Sequence, residues 1–163
     1  MEKVYGAEER HDTLILFRNT KRAVLVFGYG EEDGIGYDYR IAFGHIPTKE
    51  EVHELIINHI NSLTDEKILS GFAWEGKNVW LSTENQFNFK AAFDMAVQTS
   101  GASLPIKFKL GEDANGEPVY HVFENMAEFS DFYTSAIAFI MTALNDGWVE
   151  KDAATEWVKT LEI

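Results

Sequence analysis

Two short apolar runs near the N-terminus constrain the fold most strongly. Residues 13 to 17 read TLILF and residues 23 to 27 read AVLVF, and the polar stretch RNTKR separates them. Five residues are too few for a helix, and their branched side chains favour strands. After a glycine-rich acidic turn, the apolar character alternates from Ile35 to Ile41, which predicts a third strand antiparallel to the second.

A helix is predicted over residues 49 to 63. Thr48 and Glu51 have the spacing of a capping box, and apolar residues recur behind them at steps of three and four. The following stretch, SLTDEKILSG, is the best candidate for a domain boundary. We therefore predict two domains, an N-terminal β-rich unit of residues 1–64 that ends in this amphipathic helix, and a C-terminal α+β domain of residues 65–163.

The C-terminal part predicts a hairpin that leads into a helix. GFAWEGKNVWLS contains two short apolar segments around a Glu75-Gly76 turn. Ser82 or Thr83 caps the next helix. On that helix Phe89, Phe93 and Val97 are spaced to form one stripe that faces a core.

A second hairpin and the longest helix follow. LPIKFKL and VYHVF flank an acidic turn, and their alternation predicts paired strands. Asn125 and Glu128 form a further capping pair, and the apolar periodicity behind them predicts a helix of about 20 residues that stops at Asp146-Gly147. The tail from Trp148 either covers the core or stays exposed as a docking segment. The predicted fold class is α+β: N-terminal antiparallel strands plus a helix, then hairpin, helix, hairpin and long helix.

Composition narrows the class of protein. The chain has 27 acidic and 14 basic side chains and a formal net charge of −13, so we expect no nucleic-acid binding. It has no cysteine, which excludes disulfides and sulfur-ligated metal sites. No stretch approaches the roughly 18 apolar residues of a membrane span, and the first residues lack the pattern of a secretory signal. We therefore expect no membrane association and a cytoplasmic location.

Catalytic patterns are weak. The chain has no G-x-S-x-G elbow, and its five histidines show no metal-ligand spacing. Glu75, Glu84 and Asp94 are the only carboxylates near the aromatic hairpin that merit consideration as a catalytic set. The sequence thus predicts a non-enzymatic protein without cofactor or metal. The alternative is a small ligand-binding module or hydrolase with Glu75, Asn85 and Asp94 as its polar candidates.

Residues 66–153 resemble an uncharacterised domain family of phages and prophages, chiefly of gut Bacteroidetes. The matching pieces are GFAWEGKNVWLS, ENQFNF, SLPIKFKLGED, DFYTSAIAFI and GWVEKD. Genes of that family often lie among tail or tail-fibre genes, and its layout is similar to tail-fibre assembly proteins. The resemblance implies a bacterial host cytoplasm, or association with the virion, and it carries over no catalytic residues.

Taken together, these observations predict a structural or assembly protein that binds another protein, such as a tail or tail-fibre adaptor or chaperone. Aromatic side chains are favoured anchors in protein interfaces. The predicted protein-binding residues are Trp74, Tyr120, Phe123 and Trp157. We also expect self-association, in which Tyr37, Tyr39 and Trp157 either pair across a symmetric interface or cap the core.

Overall fold

The computed structural model describes residues 1–163 and shows an α+β protein. Eight strands and three helices make up the fold, and a single 3-10 turn joins the second and third strands. In chain order they are β1 Glu2–Tyr5, β2 Thr13–Phe17, the 3-10 turn Arg18–Thr20, β3 Arg22–Glu32, β4 Ile35–Phe43, α1 Lys49–Ser70, β5 Phe72–Trp74, β6 Lys77–Val79, α2 Thr83–Gln98, β7 Ile106–Glu112, β8 Pro118–Phe123 and α3 Met126–Thr160.

The chain forms two compact units. The first unit comprises Met1–Ile60 together with Glu150–Ile163, and the second comprises Asn61–Val149. Both α1 and α3 contribute residues to each unit. The sequence placed a boundary at residues 64 and 65 and assigned the C-terminal tail to the second domain, whereas the structure groups residues 150–163 with the N-terminal sheet.

The first unit is built on one antiparallel sheet with the strand order β1-β4-β3-β2. The predicted pairing of β2 with β3 and of β3 with β4 is confirmed. β1 was missed, because its sequence EKVY is short and carries two charges. Residues from the sheet, α1 and the end of α3 form an apolar core: Leu25, Phe27, Val52, Ile56, Ala154 and Val158.

The second unit contains two hairpins, β5-β6 and β7-β8, that pack with α2 and α3. Both hairpins were predicted, and the Glu75-Gly76 turn has the positive φ angles, +48° and +72°, that a tight hairpin turn requires. A single backbone bond, from Trp80 N–H to the Leu110 carbonyl at 2.7 Å, links the two hairpins. The core is mainly aromatic and includes Phe72, Trp74, Phe89, Phe123, Phe129 and Phe132.

Two helices are longer than the sequence predicted. α1 continues through the proposed boundary segment to Ser70, since no helix breaker occurs before Gly71. α3 passes through Gly147 and reaches Thr160, a length of 35 residues. Gly147 does not end the helix because it is a buried packing position: a Cβ there would lie 2.6 Å from the Thr64 Oγ1 atom. Close packing explains this glycine, and helix termination does not.

The predicted stripe on α2 needs one correction. Phe89 and Ala96 are buried and Phe93 is half-buried, but Val97 is 53% exposed. The buried face follows Phe89, Phe93 and Ala96, at steps of four and three, so Val97 lies beyond its edge. The helix begins as expected, because the Ser82 hydroxyl accepts the Asn85 N–H at 3.2 Å.

Candidate protein-binding surface

The four residues predicted to bind a protein lie in different environments. Trp74 and Phe123 are buried in the aromatic core of the second unit, at 5% and 0% exposure. They cannot reach a partner unless that core opens, and we correct the prediction for these two residues. Tyr120 is 52% exposed, and Trp157 is half-buried against the core of the first unit. Binding through Tyr120 or Trp157 stays a prediction.

A polar network explains how Trp74 and its neighbours are held. The Trp74 Nε1–H donates to the Asp131 carboxylate at 2.9 Å, and the Trp74 ring packs edge-on against His121. The His121 Nε2 atom lies 2.8 Å from a Glu128 carboxylate oxygen. These contacts join β5 and β8 to the first turns of α3, so the network fixes the second hairpin in place.

Glu128 is the acceptor at the centre of this network. Its carboxylate accepts the Glu124 N–H at 3.1 Å, while its own N–H donates to the Asn125 side-chain oxygen at 3.0 Å. The Glu124 N–H and the His121 ring lower the pKa of Glu128 below its ordinary value, because both stabilise the ionised carboxylate. The predicted capping pair of Asn125 and Glu128 is confirmed.

The opposite side of the second hairpin presents exposed side chains. Cross-strand register pairs Lys109 with Tyr120 and Lys107 with Val122, and residues directly opposite in an antiparallel pair point to the same face. Trp80 is 38% exposed and lies beside Lys109, whose Nζ is 5.5 Å from the indole ring centre. We call these five residues the hairpin face: Trp80, Lys107, Lys109, Tyr120 and Val122.

Lysine ammonium groups lie close to both aromatic rings of the hairpin face. The Lys107 Nζ lies 4.4 Å from the centre of the Tyr120 ring, within the range of a cation–π contact. Lys109 forms an ion pair with Glu112 at 2.9 Å, whereas Lys107 forms none. Rings that are ordered before binding lose less entropy when a partner docks.

A shallow cavity of about 200 Å³ adjoins this face, and its lining includes Trp80, Asn85 and Lys109. The Asn85 side-chain amide donates to the Trp80 carbonyl at 2.8 Å. Asn85, one of the polar candidates from the sequence, therefore supports the exposed tryptophan. Trp80 and the two lysines were missed as site residues, although the alternation in LPIKFKL already placed both lysines opposite the core face.

The carboxylates considered for catalysis are separate from one another. Glu75 forms an ion pair with Lys77 at 3.6 Å, and Asp94 forms one with Lys90 at 2.5 Å. Glu84 is exposed in the first turn of α2. No hydrogen bond or ion pair joins any two of these three carboxylates.

A second cavity, of about 280 Å³, lies in the first unit between α1 and the end of α3. His53 and Thr155 line it, and the His53 Nε2 atom is 2.9 Å from the Thr155 hydroxyl oxygen. That hydroxyl donates to the Lys151 carbonyl, so His53 acts as the donor to Thr155.

Across the whole chain, no group of three or more His, Asp or Glu side chains is arranged to hold a metal ion. None of the helices has a stretch long and apolar enough to cross a membrane.

The fold and the exposed surfaces thus define an α+β protein of two compact units with an aromatic, lysine-flanked hairpin face. In comparisons with known proteins, no protein-family model, no curated protein and no solved structure matches this chain.

Proposed function

We propose that the protein is a non-enzymatic adaptor that binds another protein through the hairpin face. The observation that carries this proposal is the juxtaposition of two exposed rings, Trp80 and Tyr120, each with a lysine ammonium group beside it. Tryptophan and tyrosine dominate the energetics of protein interfaces, because each buries a large area at a low entropy cost. Lysines at the rim of the same face favour a partner with carboxylates near its apolar contact.

The resemblance of residues 66–153 to a phage and prophage domain family suggests where to look for the partner. All five residues of the hairpin face lie within that range. On this proposal the partner is a tail or tail-fibre component in the cytoplasm of a bacterial host or in the virion, and the protein acts as an assembly adaptor or chaperone.

The test uses two tyrosines of equal exposure. Tyr120 on the hairpin face and Tyr5 on β1 are both 52% exposed. The protein, Tyr120→Ala and Tyr5→Ala are used as bait in extracts of the producing cell, and captured proteins are identified by mass spectrometry. We expect a specific protein to bind the wild type and Tyr5→Ala, and its affinity for Tyr120→Ala to fall by at least about tenfold.

A second pair of variants tests the charge of the surface. Lys107→Glu should also weaken the same complex, most strongly at low salt, because the new carboxylate repels the carboxylates expected on the partner. Lys151→Glu makes the same charge change in the first unit, at a lysine that forms no ion pair, and should leave the complex intact. Equal capture by Tyr120→Ala, Lys107→Glu and the wild type would refute binding through this face.

A further inference from the structure

The sheet of the first unit has two edges of very different chemistry. The β1 edge reads EKVY, and its Lys3 forms an ion pair with Glu32 of β3 at 2.7 Å. The β2 edge reads TLILF and carries no charge. Proteins normally protect a sheet edge with charged side chains, a proline or a covering element, because unpaired backbone groups invite another strand. β1 has such protection and β2 lacks it.

Side chains along β2 are also exposed on the outer face of the sheet. Register places Thr13, Ile15 and Phe17 opposite Val26, Val24 and Arg22 of β3, on the face away from the core. Ile15 is 44% exposed and Phe17 is 49% exposed. β2 therefore combines an unpaired backbone edge with an open apolar row.

Charges of opposite sign lie at the two ends of β2. Before the strand, Glu8 and Glu9 are exposed and form no ion pair. After it come Arg18 and Lys21 of the connecting segment and Arg22, the first residue of β3, which are exposed and form no ion pair either. They are three of the six basic side chains that form no ion pair, since eight of the 14 do.

We propose that a second copy of this chain pairs with β2, so that two β2 strands run antiparallel about a two-fold axis at Ile15. In that arrangement each residue of β2 lies opposite a residue on the same face of the sheet. Ile15 lies opposite Ile15, Leu14 opposite Leu16, and Thr13 opposite Phe17. Every cross-strand pair is free of charge repulsion. The two four-stranded sheets become one continuous sheet of eight strands.

The end charges complete the match. Antiparallel pairing brings the residues that precede β2 in one copy to the residues that follow β2 in the other. Glu8 and Glu9 of each copy then face Arg18, Lys21 and Arg22 of the other copy, and this contact occurs twice in one symmetric interface. A parallel arrangement would instead place like charges together at both ends. Charge therefore selects the antiparallel, two-fold arrangement.

This surface differs from the one expected from the sequence. Tyr37 and Tyr39 were predicted to pair across a symmetric interface or to cap the core. Both are half-buried, and their rings contact each other and, in the case of Tyr39, the Phe27 ring. The tyrosines thus belong to the body of the first unit, and the β2 edge supplies the contact between copies.

One experiment measures the mass of the protein by analytical ultracentrifugation over a range of concentrations. The wild type should form a dimer. Ile15→Lys places two ammonium groups opposite each other on the axis and should raise the dissociation constant at least about tenfold. Ile35→Lys, at a 54% exposed isoleucine of β4, is the matched control and should dimerise normally. Circular dichroism confirms that each variant is folded.

Charge reversal gives a sharper test that a folding defect cannot mimic. Glu8→Lys with Glu9→Lys makes both ends of β2 basic, and Arg18→Glu with Arg22→Glu makes both ends acidic, so each double variant alone should be monomeric. Mixed together, they restore opposite charges at both contacts and should form a heterodimer. A monomeric wild type at every concentration, or a dimer insensitive to Ile15→Lys, would overturn the proposal and leave the edge to a strand of a different protein. Failure of the mixed pair to dimerise would refute the antiparallel arrangement.

Discussion

The two compact units reach stability through different kinds of core. The second unit packs aromatic rings. The single ring of Phe132 contacts five others, those of Phe72, Trp74, Phe89, Phe123 and Phe129. The indole nitrogen of its buried Trp74 donates to Asp131. The first unit packs mainly aliphatic side chains and buries His59, whose Nε2 atom has no hydrogen-bond partner. The first unit thus contains an electrostatic cost that the second avoids.

The largest expected effect comes from the aromatic core. Phe132→Ala removes a fully buried ring with five aromatic neighbours and should lower the free energy of unfolding by about 3–5 kcal/mol. Leu25→Ala in the first unit is the matched variant, with an equally buried side chain, and should cost about 2–5 kcal/mol. Chemical denaturation of both variants measures the difference. A smaller loss for Phe132→Ala than for Leu25→Ala would contradict the view that ring packing dominates the second unit.

An intermediate effect is expected at Gly147. Gly147→Ala improves helix propensity by about 1 kcal/mol, but its methyl group meets Thr64 Oγ1 at 2.6 Å. Overpacking of this kind costs about 1–3 kcal/mol, so the net change should be destabilising. In a Thr64→Ala background that oxygen is absent, and the same substitution should become neutral or stabilising. A double-mutant cycle by thermal denaturation measures this coupling, and additivity of the two changes would refute tight packing at this point.

The smallest effect concerns His59 and depends on pH. Burial lowers the pKa of His59 below its ordinary value of 6.5, because the surroundings disfavour the charged ring. Below about pH 6.5 the unfolded chain takes up a proton at His59 that the folded chain does not, so stability is full above this pH and falls as the pH decreases. His59→Leu should add about 1 kcal/mol near neutral pH, since it removes an unpaired buried nitrogen.

The pH series separates this histidine from the others. The stability advantage of His59→Leu over the wild type should widen between pH 7.5 and pH 5.5, as measured by urea denaturation. His11→Leu, at an exposed histidine of the same unit, should show no such widening. A constant difference across this range would mean that His59 does not impose the cost on the first unit.

Patterns within one element predicted most of the fold. The runs at β2 and β3, the Glu75-Gly76 turn and the Asn125 cap all gave correct elements, because each depends on neighbouring residues in the chain. Gly147 misled the prediction because a glycine that ends a helix and a glycine that admits a close neighbour look alike in sequence. Its true role depends on Thr64, which lies far away in the chain.

The candidate surface was harder to predict for a similar reason. Tyr120 and Phe123 lie three residues apart on β8, so alternation places them on opposite faces, but both were predicted to bind a partner. The register with β7 decides which ring faces outward, because Tyr120 lies opposite Lys109 and Phe123 lies opposite Ile106, which packs against the core. Trp80 gains its role only when Lys109 of a different hairpin lies beside it.

The discontinuity of the first unit has a consequence for synthesis on the ribosome. Its core requires Ala154 and Val158, which are translated after the whole of the second unit. The sheet and the first part of α1 precede the second unit in the chain, so this core stays incomplete until residues 150–163 have followed. Residues 61–149 can fold earlier, because all their partners have already been translated. Truncation near residue 150 would therefore impair the sheet, although the sheet lies far upstream of the cut.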